Sequence, residues 1–173
     1  EHGDRAEKIV QNMLDHSKGG EGERHPTDLN ALLDEYVTLA HHGLRTRHEK
    51  LDVHLARSYD ERVGKVDLIP QEMGRVFMNL IGNALKFTPA GGRVEILVED
   101  RADHVRVQVN DTGIGIPEED LPRVFERFFQ VSPTDRRREG GVGIGLALAK
   151  ELVELHGGSI EVASPGRDGG TAF

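Results

Sequence analysis

Apolar and polar residues follow two periods along this chain, and each period predicts a different kind of element. Spacings of three and four residues predict helices over residues 4–17, 29–44, 70–88 and 144–156, with a short acidic-started helix over 118–126. Strict alternation predicts strands over residues 51–55, 63–68, 94–98, 105–109 and 159–163, and a last strand that begins within 169–173. The strands over 94–98 and 105–109 flank a polar turn, so they should form an antiparallel hairpin with one buried face.

Residues at the predicted helix ends support these bounds. Asp28, in Pro26-Thr27-Asp28, can cap the second helix with its side-chain oxygen. Pro70 stands where the first residue of the third helix is expected, and Gly157 with Gly158 ends the last helix. The chain therefore carries start and stop signals that agree with its periodicity.

The ends of the chain and one internal segment differ from this pattern. The apolar strip of residues 4–17 is too narrow to fold alone and should pack against a partner helix. Residues 132–141 contain almost no apolar side chain and should be mobile. Because Glu1 opens the chain without a targeting pattern and Phe173 closes it just after a glycine pair, we expect a piece of a longer protein.

Composition excludes several classes of protein. The 173 residues suffice for one good core with an appendage. The absence of cysteine excludes disulfides and thiolate metal sites. A net charge of −8 argues against a nucleic acid or an anionic membrane as the main partner, since their phosphates would be repelled. No apolar run approaches the ~20 residues that span a bilayer.

The third predicted helix carries the first candidate site. Asn79, Asn83 and Lys86 fall on one arc at spacings i, i+4 and i+7. Asparagine is a poor interior helix former, so two of them beside a lysine suggest a ligand face: amide oxygens for a hard cation and an ammonium for phosphate. The alternative is a solvated face, since Glu72 and Arg75 point roughly the same way.

The second candidate site joins an aspartate to glycine-rich turns. Asp111 ends a predicted strand just before Gly113 and Gly115, and a carboxylate there can accept a hydrogen bond from an amine such as that of adenine. The alternative is an ordinary Asp-initiated turn. A second glycine cluster over 141–145 opens a helix and can aim N–H groups at phosphate, or serve as a hinge. Neither cluster fits the P-loop or the dinucleotide fingerprint.

In combination and in this order, these motifs make the chain resemble the ATP-binding catalytic domain of two-component sensor histidine kinases, in the superfamily shared with gyrase-type ATPases and the ninety-kilodalton heat-shock chaperones. The matching boxes are Asn79–Thr88, Asp111–Pro117, Glu126–Phe129, Gly140–Leu146 and Gly169–Phe173. The resemblance implies an α/β two-layer sandwich, with a mixed, mostly antiparallel sheet and helices on one face. It makes residues 1–22 the end of a helical dimerisation hairpin and 23–173 the catalytic domain.

The resemblance also implies roles for individual residues. Asn83 would hold Mg2+, with Asn79 and Lys86 supporting the metal and the phosphates of ATP, so that these three are the candidate catalytic residues. Asp111 would bind the adenine amine, with Thr171 beside it. The remaining nucleotide-binding residues would be Gly113, Gly115, Ile116, Phe128, Gly141, Val142, Gly143, Ile144, Gly145 and Leu146.

The same resemblance favours phosphotransfer over hydrolysis. In the ATPases of the superfamily the position of Asn79 looks like a glutamate that polarises water, and an amide cannot act as that base. The acceptor histidine is missing, because His48 lies in the wrong residue context. The implied partners are a dimerisation domain carrying that histidine and a response-regulator receiver domain, in a cytoplasmic homodimer whose parent could be anchored in the inner membrane. An ATP hydrolase and a non-catalytic nucleotide sensor are the rival hypotheses.

Overall fold

The computed structural model describes residues 22–45, 52–131 and 142–173. The predicted helix over 4–17, His48 and the segment 132–141 lie outside these ranges. In chain order the elements are β1 (His25–Asp28), α1 (Leu29–Arg45), β2 (His54–Tyr59), β3 (Lys65–Leu68), α2 (Pro70–Phe87), β4 (Arg93–Asp100), β5 (Val105–Asp111), a 3-10 helix (Glu118–Arg123), α3 (Gly145–Leu155) and β6 (Thr171–Ala172). Within the described ranges, no helix combines the length and apolar composition that a bilayer crossing requires.

A mixed sheet of four strands forms one layer, in the order β2-β4-β5-β6. Strands β2 and β4 are parallel, whereas β4 with β5 and β5 with β6 are antiparallel. β1 and β3 pair separately as an antiparallel ribbon. The register places Asp111, the last residue of β5, opposite Thr171 of β6. The predicted hairpin and the predicted sandwich class are confirmed.

The helices cover the face of the sheet that carries the inward side chains of β4 and β5. Val94, Ile96 and Val109 on that face are fully buried. They join one apolar cluster with the faces of the helices, including Val37 of α1 and Ile81 of α2. Burial of this apolar face is the main favourable free-energy term that holds α2 against the sheet.

The helix ends lie where the sequence places them. The Asp28 carboxylate accepts a hydrogen bond from the backbone N–H of Ala31 at 3.0 Å, which caps α1. α2 begins at Pro70. After α3, Gly157 takes a left-handed conformation with φ of +82°, and the N–H groups of Gly157 and Gly158 donate back to carbonyls of the last turn. This is a Schellman motif.

Several local predictions are wrong or incomplete. The strand predicted over 159–163 does not form, because β6 offers it a single partner: Ala163 makes one bridge to Ala172. Strand β1 was not predicted, although it pairs along its length with β3. The helix expected over 118–126 is a 3-10 helix that ends at Arg123 and contains Pro122, which cannot donate to an α-helical ladder.

Candidate functional site

The stripe of α2 that carries the two asparagines is covered by α3. Asn79 and Asn83 are half-buried. Gly145, the first residue of α3, lies so close that a Cβ there would stand 2.7 Å from Oδ1 of Asn79. Glu72, on the same stripe, is only 8% exposed. This burial contradicts the solvated-face alternative for the stripe. Lys86 follows one turn after Asn83 and is also half-buried, with its Nζ 5.1 Å from the centroid of the Phe87 ring.

Asp111 is held by the backbone on one side only. Its Oδ1 accepts hydrogen bonds from the N–H of Gly113 at 2.8 Å and of Thr171 at 3.2 Å. No described residue donates to its Oδ2, which is therefore available to a ligand donor. Burial raises the pKa of the Asp111 carboxyl, and the two backbone hydrogen bonds oppose that rise. A half-buried carboxylate with one committed and one available oxygen can select an amine.

The turn after Asp111 is tied to the end of α2. A Cβ at Gly113 would stand 2.5 Å from the carbonyl oxygen of Phe87, so only glycine fits this approach. The next residue, Ile114, donates its N–H to the same carbonyl at 3.2 Å. The aspartate and the lysine-bearing end of α2 consequently belong to one site.

The loop from Ser164 to Gly170 supports this turn, and sequence analysis did not identify it. The Ser164 hydroxyl accepts from the N–H of Ile116 at 2.9 Å and donates to the carbonyl of Gly170 at 2.7 Å. Gly170 in turn donates its N–H to Gly113 at 3.1 Å. The Ser164-Pro165-Gly166 turn was the available signal. It was overlooked because its partners are distant in sequence.

A cavity of about 410 Å³ lies between this loop and the end of β5. Its lining residues are Asn110, Asp111, Ala163, Ser164, Pro165, Gly169, Gly170, Thr171 and Ala172. Of the described residues predicted for the site, Asp111 and Thr171 are the two that line it. The cavity therefore marks the Asp111 end of the site and does not reach the asparagines of α2.

The second glycine cluster contacts the Glu126–Phe129 box. The N–H of Phe128 donates to the carbonyl of Gly143 at 2.7 Å, and both residues have positive φ, 66° and 76°. Arg127 pairs with Glu151 of α3 at 2.7 Å, which fastens this box to α3. Phe128 itself is 66% exposed. Gly141 lies outside the described residues.

The structure brings the predicted site residues together in groups. Gly113, Gly115, Ile116 and Thr171 surround Asp111 directly or through Ser164. At the other end, the half-buried Val142, Ile144 and Leu146 flank the turn that presents Gly145 to Asn79. No group of three His, Asp or Glu suited to a metal occurs among the described residues, so a cation here would depend on amide and phosphate oxygens.

A carboxylate at a strand end, a close-fitting glycine turn and an amide-bearing helix under a mixed sheet define a nucleotide-binding α/β sandwich. Residues 69–173 match the family model described as "Histidine kinase-, DNA gyrase B-, and HSP90-like ATPase". The chain belongs to this family.

Relatives and solved structures agree with the assignment. The signal transduction histidine-protein kinase BarA of Escherichia coli (strain K12) is 38% identical over 173 residues, which cover 94% of this chain and 18% of BarA. Full-length ShkA in complex with AMPPNP matches with a TM-score of 0.80 at 25% identity, over 99% of this chain and 35% of ShkA. The histidine kinase ThkA, in complex with the response regulator TrrA, matches with a TM-score of 0.75 at 27% identity, over 98% of this chain and 46% of ThkA.

Proposed function

We propose that this chain is the Mg-ATP-binding catalytic domain of a two-component sensor histidine kinase, which transfers the γ-phosphoryl group of ATP to a histidine of the dimerisation domain. The observation that carries the proposal is the amide side chain of Asn79, which is half-buried against the first residue of α3. The hydrolases of the family look like they carry a glutamate at this position. The chain spans 18% of the length of BarA, so the activity and partners of the whole protein are part of the proposal.

The Asp111 end of the site would bind the base. Oδ2 of Asp111 accepts the adenine amine, while its Oδ1 stays on the N–H groups of Gly113 and Thr171. A half-buried carboxylate oxygen such as Oδ2 is costly to leave without a donor once the ligand excludes water, so a base that lacks the amine at this place is rejected. The site should therefore prefer ATP to GTP.

The other end would bind the phosphates. α3 begins at Gly145 with no side-chain cap on its first N–H groups, which leaves them for phosphate oxygens. Asn83 and Asn79 present neutral amide oxygens suited to Mg2+, and Lys86 adds a positive charge. Bound Mg2+ would neutralise phosphate charge during transfer. Gly143 and its neighbours would contact the same phosphates, as would Gly141 outside the described residues.

The chain's residues would position the reacting groups, and the acceptor would supply the nucleophile. An unprotonated nitrogen of the acceptor imidazole forms the P–N bond as the bond between the γ-phosphorus and ADP breaks, and ADP leaves with the electron pair. The Asn79 amide takes no proton from water, so hydrolysis is not assisted. Positioning and charge neutralisation account for most of the catalysis in this class of reaction.

The partners follow from the same proposal. ThkA has been solved with a response regulator, and we infer that the parent of this chain passes its phosphoryl group to a receiver domain. We also infer a homodimer joined through a helical hairpin whose end is residues 1–22. We place the domain boundary at residue 23, and the start of strand β1 at His25 supports this choice.

One experiment tests the transfer. The chain is incubated with γ-labelled ATP, Mg2+ and a supplied histidine-bearing dimerisation hairpin, with the same hairpin carrying glutamine at the histidine as the control. We expect acid-labile label on the histidine hairpin alone and none on this chain. Rapid release of free phosphate without the hairpin would move the protein to the hydrolases, and absence of Mg-ATP binding would refute the proposal.

A further inference from the structure

His156 connects two helices through both of its ring nitrogens. It directly follows α3, where its Nδ1 lies 2.7 Å from the carbonyl oxygen of Leu152. Its Nε2 accepts a hydrogen bond from the backbone N–H of Ile69 at 3.1 Å. Because a backbone N–H can only donate and a carbonyl can only accept, these partners assign the proton to Nδ1 and leave Nε2 unprotonated. The ring is thus a neutral acceptor aimed at the start of α2.

The N–H that donates to His156 belongs to Ile69, the N-cap residue of α2. Ile69 caps this helix without any side-chain hydrogen bond of its own. Glu72, at the third helical position, is the residue type that normally bonds back to the cap N–H. Here Glu72 is 8% exposed and its Oε2 has no hydrogen-bond partner among the described residues. The first N–H of α2 is therefore held by α3, and the intrahelical alternative is present but unused.

The start of α3 meets the middle of α2 at the proposed phosphate site. Gly145 begins α3 against Asn79, and His156 ends it against Ile69, so the helices run antiparallel. At ~1.5 Å per residue, the stretch from Ile69 to Asn79 covers about 15 Å and that from Gly145 to His156 about 16 Å. The hydrogen bond and the Gly145–Asn79 contact therefore lie at matching separations along the two helices.

Of the two contacts just named, the hydrogen bond between His156 and Ile69 is the directional one. The residues that α3 buries along its length are apolar: Ala147, Ala149 and Leu152. Apolar contact is non-directional, whereas a hydrogen bond requires a donor–acceptor distance of about 2.7–3.2 Å and weakens steeply when its angle falls below about 120°. A small axial slide of α3 would keep most of its apolar burial but would move Gly145 away from Asn79.

We propose that His156 is a positioning residue, which sets the axial register of α3 on α2 and thereby holds the uncapped start of α3 and Gly145 against Asn79. It touches neither nucleotide nor metal and acts on the site from the far end of both helices. The inference deepens the proposed function, because the ligand whose binding it controls is Mg-ATP.

Substitutions at position 156 can separate the two hydrogen bonds of the ring. In His156→Gln the amide oxygen reaches the place of Nε2 and can accept from Ile69, whereas in His156→Asn the shorter amide reaches only the Leu152 carbonyl. Glu72 can cap α2 in the asparagine variant, so this variant should fold. We expect the affinity for Mg-AMPPNP, measured by calorimetry, to fall about three- to tenfold in His156→Asn, the scale of one hydrogen bond, and to stay within about twofold in His156→Gln.

A second variant removes the same bond from the donor side. Ile69→Pro lacks the N–H, and the φ of −92° at this position lies near the range of proline. Since both changes break one hydrogen bond, the double variant with His156→Asn should bind no more weakly than the worse single variant. Additive losses, or equal affinities for the asparagine and glutamine variants, would overturn the proposal. If His156→Asn does not fold, the test is the affinity of Ile69→Pro for Mg-AMPPNP compared with that of the parent, and equal affinities would overturn the proposal.

The register can be measured without nucleotide. The chain has no cysteine, so spin labels can be placed at Met78 of α2 and Glu154 of α3, both exposed. The distance distribution between the labels should be the same in the parent and in His156→Gln, and shifted or broader in His156→Asn. An unchanged distribution in His156→Asn would refute the register role. A changed distribution in a protein that fails to bind Mg-AMPPNP would leave the register role standing and refute the proposed function instead.

Discussion

Replacing Asp111 with asparagine tests the proposed base pocket most directly. Oδ1 of Asp111 is committed to the N–H groups of Gly113 and Thr171, and Oδ2 is the oxygen left for the adenine amine. In Asp111→Asn the amide oxygen must stay on the two backbone donors, because turning it outward would leave both unpaired. The amide nitrogen then faces the ligand, and a donor meets a donor.

The expected loss follows from this geometry. One hydrogen bond to a charged acceptor disappears, which costs about 1.5–3 kcal/mol, or about 10- to 150-fold in affinity. Calorimetry with Mg-ATP on both proteins measures the loss. GTP, whose base presents a different edge, should bind the parent weakly.

The free energy of unfolding without nucleotide provides the internal control, because it shows whether Asp111→Asn disturbs the fold. Burial raises the pKa of Asp111 in the folded chain, so the contribution of this one carboxyl to stability is full below the ordinary pKa of about 3.9 and is lost as pH rises through the folded value. Asparagine removes that loss, so the variant without nucleotide should be at least as stable as the parent at pH 7. Asp67→Asn, the same change on exposed β3, should alter neither property. Equal ATP affinity in the parent and Asp111→Asn, or equal affinity of the parent for ATP and GTP, would show that Asp111 is only a turn residue.

Three further predictions concern the metal, the helix contact and the isolated chain. Asn83→Ala should abolish the Mg2+-dependent part of ATP affinity in a folded protein, and unchanged calorimetric binding would sink the metal assignment. Gly145→Ala should weaken Mg-ATP binding, because its methyl group would stand 2.7 Å from Oδ1 of Asn79. Its matched control, Gly82→Ala, has no heavy atom within 4 Å of the new Cβ and should raise the free energy of unfolding by about 0.4–1 kcal/mol in denaturant melts. The chain alone should bind Mg-ATP yet neither label itself nor release phosphate appreciably; acid-labile label on the chain that disappears in His48→Ala would contradict this.

The local sequence determined much of the fold. Helix caps at Asp28 and Gly157 and the proline that starts α2 depend on neighbours within a few residues, and they lie where the pattern predicts them. The hairpin of β4 and β5 is likewise local, since its strands adjoin one turn. The order of the nucleotide boxes indicated the family for the same reason: each box is a short continuous stretch.

Contacts between distant residues were beyond prediction from the pattern. The strand expected over 159–163 needs a long partner, and β6 offers only Ala172 for a single bridge. β1 forms because β3 lies beside it, some forty residues away in sequence. Pairing across such distances is decided by the packed sheet, since an isolated strand satisfies none of its backbone groups.

The site shows the same division. The sequence determined which chemical groups the chain contains, including the Asp111 carboxylate and the asparagine amides. Only the tertiary structure decided that Oδ1 of Asp111 is already engaged, that α3 covers the stripe of Asn79, and that His156 caps a helix far away in the chain. The physical reason is that hydrogen bonds and close contacts act over a few ångströms in space, and folding alone brings together residues that are separated along the chain.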